Sequence, residues 1–156
     1  MSNPTTAAGP LAAKVRAAFP RVELRDVDYG IPSLLVPVEN LVDVCQHVKS
    51  TPELDFDYLA SVTAIDYLDR IDVVYQLRSL KLRHDLALRI EVDRDEAVAP
   101  SVTGVWRAAD FQEREIYDLM GVTFTGHPNL KRILLYDEFD GHPLRKDWHL
   151  PAEPRA

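Results

Sequence analysis

Cysteine is nearly absent from this sequence of 156 residues, which contains only Cys45. A single cysteine cannot form a disulfide within the chain, nor a zinc or iron–sulfur site built from several cysteines. Glycine is also scarce: there are 6, they do not cluster, and this excludes a glycine-rich phosphate loop. The sequence therefore predicts no disulfide framework, no cluster bound by its own cysteines and no nucleotide-binding loop.

Positive charge and long apolar runs are the other shortages. The 18 Lys and Arg residues are outnumbered by 25 Asp and Glu residues, which gives a net charge of −7. Nucleic-acid binding needs clustered cations against phosphates, so we expect no nucleic-acid partner. No apolar run approaches the ~20 residues that cross a bilayer, and the polar start does not match a secretory signal. We expect a cytoplasmic chain that reaches a membrane only through a partner.

The residues that are present suit one folded domain. Hydrophobic residues make up 46% and charged residues 28%, which is ordinary for a globular chain. Patterning predicts an α+β fold, with a mixed or antiparallel sheet of about four strands and helices packed on one face. The predicted helices cover 11–19, 39–50 and 110–120, and the predicted strands cover 21–27, 33–38, 61–67, 71–77 and 84–92. Cys45 lies on the apolar stripe of the second helix, which predicts a buried, inert thiol.

The end of the chain has a different character. Prolines interrupt it repeatedly, no period persists except over 133–136, and apolar side chains are too few for a separate core. We therefore divide the chain into a loose leader over 1–10, an α+β domain over 11–121 and a long irregular C-terminal arm over 122–156. Such an arm is expected to dock on a partner.

The helix predicted before the arm carries carboxylates in unusual places. On a helical wheel Glu113 falls inside the apolar arc and Glu115 at its edge. Arg114 and Asp118 fall on the opposite side, as a surface pair four residues apart. A carboxylate directed into a core is costly unless it is paired or hydrogen-bonded.

Two interpretations of these carboxylates stay open. The spacing of Asp110 and Glu113 fits a capping box, in which Glu113 folds back onto its own helix. Alternatively, Glu113 and Glu115 bind cations of the arm, such as Arg132 or Arg145, and pin the arm to the domain. A catalytic acid–base pair is the least supported interpretation, because no nucleophile, metal motif or substrate pocket is evident nearby.

The arm contains a short motif twice, Gly126-His127-Pro128 and Gly141-His142-Pro143. A leucine and two cations follow each copy: Leu130, Lys131 and Arg132, then Leu144, Arg145 and Lys146. The histidines could indicate a small metal-dependent hydrolase, but they lack the spacing of a helical metal motif. The preferred interpretation is that the histidines bond backbone groups in turns and the cations meet carboxylates. The residues alone thus predict an adaptor.

Several segments of fixed spacing also match a family signature. They are Glu113-Arg114-Glu115-Ile116-Tyr117-Asp118-Leu119-Met120-Gly121-Val122, Gly126-His127-Pro128, Leu130-Lys131-Arg132-Ile133-Leu134 and Gly141-His142-Pro143-Leu144-Arg145-Lys146-Asp147. With them, the chain resembles the thirty-kilodalton subunit family, the C subunit of the proton-pumping NADH:quinone oxidoreductase of respiratory complex I. The resemblance runs from about Val38 to Pro151.

The resemblance implies a non-catalytic structural subunit, which is part of an enzyme only as part of the complex. It implies no cofactor in this chain, with flavin and iron–sulfur clusters in partner subunits. The D subunit, which lines the quinone cavity and is here called the quinone-cavity subunit, is the expected main partner. The B and I subunits are expected beside it, and the assembly lies at the cytoplasmic face of the bacterial inner membrane. The residues implied in docking are Glu113, Arg114, Glu115, Tyr117, Asp118, Gly126, His127, Pro128, Lys131, Arg132, His142, Pro143, Arg145 and Lys146.

One alternative function is compatible with membership of the same family. The chain could be the equivalent subunit of a related membrane-bound hydrogenase or of another energy-converting complex, since such complexes share this type of subunit.

Overall fold

The computed structural model describes residues 9–27 and 30–151, and it confirms the predicted α+β class. Residues 1–8 of the predicted leader and 152–156 of the predicted arm lie outside the described residues. The elements in chain order are α1 (Gly9–Ala18), β1 (Arg25–Asp26), β2 (Ser33–Leu35), α2 (Leu41–Ser50), β3 (Tyr58–Asp66), β4 (Arg70–Ser79), β5 (His84–Asp93), β6 (Val98–Pro100), α3 (Ala109–Met120) and β7 (Thr123–Thr125). None of the helices in this part of the chain is long and apolar enough to span a bilayer.

The main sheet has five strands in the order β1-β2-β5-β4-β3. β4 and β5 contain the predicted strands 71–77 and 84–92, and they pair antiparallel from Arg70 opposite Asp93 to Ser79 opposite His84. β3 pairs antiparallel with the other side of β4, and β2 runs parallel to β5. Alternate residues of the two central strands form the buried face, among them Ile71, Val73, Tyr75, Leu77, Leu86, Leu88 and Ile90.

α2 matches its predicted position, after a turn of 3-10 helix over Val38–Asn40. Cys45 is buried in the core as predicted, and burial raises the pKa of its thiol. The predicted inertness of the thiol stays a prediction, which this burial supports because the thiolate is the reactive form.

α3 ends as predicted but begins differently. Gly121 follows its last turn with a φ of 73°, the left-handed conformation that glycine adopts most readily. The capping-box prediction is wrong: the helix begins at Ala109, its N-cap is Ala108, and no side chain caps it. Asp110 therefore lies inside the first turn, where it cannot act as the N-cap partner of Glu113.

Two short strands were missed by the sequence patterns. β6 lies in a stretch where no strand was predicted, and it pairs in parallel with β7, with Ala99 opposite Phe124. Val122 and Phe124 are buried in the core, although they lie past residue 121. The predicted strand over 21–27 is reduced to Arg25–Asp26, and 133–136 forms no strand. The division at residue 121 stays a prediction, and the structure adds that the arm's first residues complete the core.

Candidate partner-docking site

Asp118 is the point at which the arm is attached to α3. Its side chain is fully buried, and its Oδ1 lies 3.0 Å from Nη1 of Arg132. Its Oδ2 accepts hydrogen bonds from three consecutive backbone N–H groups, those of residues 133, 134 and 135, at 3.2, 2.8 and 2.9 Å. The predicted surface pair of Arg114 and Asp118 is therefore wrong, because the arm covers this side of the helix.

The electrostatics of Asp118 favour the charged form. Burial alone would raise the pKa of its carboxyl, but the three N–H groups and Arg132 together hold it below its usual range. Arg114 fixes the same stretch from the side, since its guanidinium donates to the carbonyl oxygens of Lys131 at 3.1 Å and Arg132 at 3.2 Å. The second guanidinium nitrogen of Arg132 donates to the carbonyl of Gly141 at 3.2 Å. This part of the arm is thus held by ionised groups that bond within the molecule.

The second half of the arm caps the C-terminal end of α3. The last carbonyls of a helix have no partner within it and carry a partial negative charge. Nδ1 of His142 donates to the carbonyl oxygen of Asp118 at 2.9 Å. The N–H of Leu144 donates to the carbonyl oxygen of Leu119 at 3.0 Å. Nε of Arg145 donates to the carbonyl of Met120 at 2.7 Å. The arm thereby supplies both the missing donors and a complementary charge.

His127 holds the first bend of the arm, after Gly126 with its φ of 82°. Its Nδ1 accepts the N–H of Asn129 at 3.0 Å, so the hydrogen-bond network assigns the proton to Nε2. Nε2 lies 3.1 Å from both the carbonyl oxygen and the Oδ1 of Asp110. The prediction that both histidines of the repeated motif bond backbone groups is confirmed.

A second buried aspartate, which the sequence did not reveal, fastens the end of the arm to the sheet. Asp66, on β3, is bonded by Nε and Nη2 of Arg94, both at 2.9 Å. Its Oδ2 also accepts the N–H of Lys146 at 2.9 Å, and Arg94 reaches Asp147 at 2.8 Å. These bonds, chiefly those from Arg94, hold the pKa of Asp66 well below its usual range despite its burial.

Glu113 and Glu115 do not bind the arm's cations, so that prediction is wrong. Glu113 is fully buried, and it accepts the N–H of Val102 and the hydroxyl of Ser101, each at 2.7 Å. Burial raises the pKa of Glu113, and these two bonds offset the effect only in part. Glu113 therefore fixes the loop before α3. Glu115 is exposed and forms no ion pair within residues 9–27 and 30–151.

The remaining predicted residues lie around these attachments. Among the described residues, only Arg132 of the four cations that follow the repeated motif meets a carboxylate through its side chain, because Arg145 bonds a carbonyl and Lys146 contributes its backbone. Lys131 and Pro128 are exposed, whereas Tyr117 and Pro143 are partly buried. No group of three or more His, Cys, Asp or Glu residues in the described part of the chain could hold a metal ion. The hydrolase interpretation gains no support.

The arm also exposes apolar side chains among its charged ones. Four large side chains project from it, namely Leu134, Tyr136, Leu144 and Leu150, with exposed fractions of 61%, 66%, 60% and 78%. Beside them Phe139 packs on Tyr136 and stacks on Trp148, with ring centroids 5.6 and 5.8 Å apart. Exposed apolar side chains that lie near one another are a feature of protein–protein interfaces. We call Leu134, Tyr136, Leu144 and Leu150 the outer surface of the arm.

Comparisons with known proteins identify the family of the chain. Residues 34–154 match the family model described as "Respiratory-chain NADH dehydrogenase, 30 Kd subunit". A relative from Moorella thermoacetica, named as the C subunit of an NADH-quinone oxidoreductase, is 43% identical over 142 residues, which cover 90% of this chain and 94% of the relative.

Two solved structures are similar as well. One is titled as a trypsin-resistant fragment of Nqo5; it is 32% identical, with a TM-score of 0.63, over 76% of this chain and 95% of that one. The other belongs to a membrane-bound sulfane sulfur reductase, an archaeal respiratory membrane complex. At 23% identity and a TM-score of 0.74, over 89% of this chain and 84% of that one, it shows the same fold. The chain therefore belongs to the family of the 30 kDa subunit of the respiratory-chain NADH dehydrogenase, and it is a complex I subunit of the C type.

Proposed function

We propose that this chain is a non-catalytic structural subunit of the peripheral arm of NADH:quinone oxidoreductase. Its C-terminal arm braces the quinone-cavity subunit, and the B and I subunits are further neighbours. The chain lies at the cytoplasmic face of the membrane and carries no flavin, iron–sulfur cluster or metal of its own. Electrons from NADH reach quinone through cofactors of partner chains, so this chain supports turnover and proton translocation by holding the assembly together.

The observation that carries this proposal is the two-sided character of the arm. Its inner side is fixed by ionised and backbone bonds to Asp118, Asp66 and the end of α3. Leu134 shows both sides at once: its N–H bonds Asp118 at 2.8 Å, while its side chain is 61% exposed. A rigid backbone that presents apolar side chains outward suits a docking surface, because little conformational entropy is lost on binding.

Substitution of the outer surface of the arm tests the proposal. We expect Leu134→Asp and Tyr136→Asp each to lower the recovery of the quinone-cavity subunit with the tagged chain by about tenfold or more, as at a binding hot spot. Leu80→Asp is the matched control, because Leu80 is 57% exposed but lies on the turn between β4 and β5. Unchanged recovery of the quinone-cavity subunit with both arm variants would contradict the proposal.

The expected lack of a cofactor has its own test. The purified chain should show no flavin or iron–sulfur absorbance and no NADH oxidation. Stoichiometric absorbance of either group, or turnover by the chain alone, would show that its role is more than structural.

A further inference from the structure

The outer edge of β3 is a long strand edge with unused backbone groups. Among residues 9–27 and 30–151, β3 is the last strand of the sheet and pairs only with β4. The N–H of Val62 bonds Oε1 of Gln112 at 2.7 Å, so it points away from β4. Inward and outward backbone groups alternate along an antiparallel strand, and the N–H of Tyr67 bonds Arg70 on the inner side. The N–H and C=O of Ala64 therefore point outward.

Those outward groups have no partner in the described part of the chain. Gln112 satisfies the N–H of Val62, but no hydrogen bond to the N–H or C=O of Ala64 is formed by residues 9–27 or 30–151. The stretch from Ser61 to Ile65 also contains no charged residue and no proline. Natural proteins place charged residues or proline on exposed edge strands to prevent pairing with another chain. A strand edge that lacks both therefore indicates an edge that is paired with another chain in the assembled protein.

An apolar groove lies directly beside this edge. It has a volume of about 220 Å³ and runs between β3 and α3. Ile116, Leu119 and Met120 line it from the helix, Leu144 of the arm closes it, and Glu115 stands at its rim. Glu115 is exposed and forms no ion pair among the described residues. The site thus combines the unused N–H and C=O of Ala64, one apolar groove and one unpaired negative charge.

We propose that the edge of β3 from Val62 to Ile65 receives an extended segment of a partner protein of the complex as an additional strand. The segment bonds the backbone of Ala64, inserts an apolar side chain into the groove and places a Lys or Arg beside Glu115. Strand addition is a recurring mode of peptide recognition, in which the backbone supplies affinity and a pocket supplies specificity. The proposal relies on the proposed function only in that the chain works inside an assembly.

Amide hydrogen exchange at single-residue resolution tests the added strand in the purified complex and in the isolated full chain. We expect the Ala64 N–H to exchange about tenfold or more slowly in the complex, because an added strand would bond it. The Thr63 N–H is the internal control, since it bonds β4 in both states. Equal exchange of Ala64 in the two states, with the quinone-cavity subunit still bound, would overturn this inference and leave the role of the arm intact.

A photo-reactive amino acid at Thr63, an exposed residue lining the groove, identifies the occupant. We expect a crosslink to one other protein of the complex, with a site flanked by Lys or Arg. A crosslink between two copies of this chain, or none, would overturn the proposal.

Two variants separate the parts of the site. Ala64→Pro removes an outward donor at an edge position where proline is tolerated, and Glu115→Lys reverses the charge at the rim. Each should reduce the Thr63 crosslink, whereas Glu53→Lys, another exposed carboxylate outside the groove, should not. Thermal unfolding of each isolated variant distinguishes loss of binding from loss of folding. Crosslinking at the wild-type level by folded Ala64→Pro and Glu115→Lys would contradict the strand addition.

Discussion

At the scale of single residues, the surroundings of two buried carboxylates of α3 shift their pKa values in opposite directions. Asp118 is surrounded by Arg132 and three N–H groups, which favour its ionised form. Glu113 has two neutral donors, from Val102 and Ser101, in an apolar surrounding that disfavours its charge. The first carboxylate therefore stabilises the fold when ionised, and the second does so when protonated.

Asp118→Asn should release the first half of the arm. The amide keeps the shape of the side chain but removes the charge opposite Arg132 and turns an NH2 group toward backbone N–H donors. Breaking a buried ion pair from one side costs about 3 kcal/mol or more in the free energy of unfolding. Urea unfolding measures the loss, and Asp85→Asn is the control, because Asp85 pairs with Arg78 but is 42% exposed and should cost less than about 1 kcal/mol. Similar losses for the two variants would show that Asp118 is no special anchor.

Glu113→Gln should change how stability depends on pH. The pKa of Glu113 is raised in the folded chain, so the folded state binds its proton more tightly than the unfolded state. Wild-type stability therefore falls as pH rises from the ordinary carboxyl range through the raised pKa. The glutamine can accept the N–H of Val102 and donate to Ser101 without ionising. Urea unfolding across this range should show that the free energy of unfolding of Glu113→Gln increases relative to that of the wild type as pH rises. A difference that does not change with pH would contradict the raised pKa of Glu113.

The helical wheel predicted the burial of Glu113 but not the surroundings of either carboxylate. A wheel reports which residues share a face, and Asp118 was placed opposite the apolar arc, which is correct. That face is buried by the arm, whose path depends on turns at Gly126 and Gly141 that no periodicity encodes. For the same reason Asp66, whose partner Lys146 is 80 positions away, gave no signal in the sequence.

At the scale of elements, the sequence predicted those whose pattern is complete within one segment. β4 and β5 contain the alternating runs predicted over 71–77 and 84–92, and α2 repeats its apolar stripe, so their positions are confirmed. β6 and β7 have 3 residues each, too few for an alternation. They exist because the chain brings Val98–Pro100 beside Thr123–Thr125 after α3, which is a property of the tertiary fold.

Gly121→Ala tests how closely the arm packs on the end of α3. A Cβ at Gly121 would lie 2.5 Å from Cδ2 of His142, and the backbone there has a φ of 73°. Gly126→Ala is a matched control, because its φ is 82° but nothing lies within 4 Å of the added atom. The shared backbone strain should cost about 1 kcal/mol in each, and displacing His142 should cost at least about 1 kcal/mol more in Gly121→Ala. Thermal unfolding measures the loss of stability in both variants. Equal losses would mean that the side chain of His142 moves aside without lowering the stability.

At the scale of the whole molecule, the arm is attached first to α3 and then to the main sheet. The first attachment, at Asp118, lies on α3, and the second, at Asp66, lies at the end of β3. The outer surface of the arm extends between and beyond these two points. Its orientation relative to the sheet therefore depends on both aspartates, and under the proposed function each of them would influence docking without being exposed to the partner.

Arg94→Met should loosen the second attachment and leave the first in place. The variant removes the two bonds to Asp66 and the ion pair to Asp147, so the segment around Lys146 keeps only one backbone bond to the sheet. Limited digestion with trypsin should cleave after Lys146 on the order of tenfold faster, because cleavage follows the population of the opened segment. Cleavage after Lys131 should not change, since Arg114 and Asp118 still hold that stretch. Arg78→Met is the control, because it breaks an exposed pair elsewhere on the sheet. If cleavage at both lysines rose together, the arm would be released as one unit, and the two attachments would not act separately.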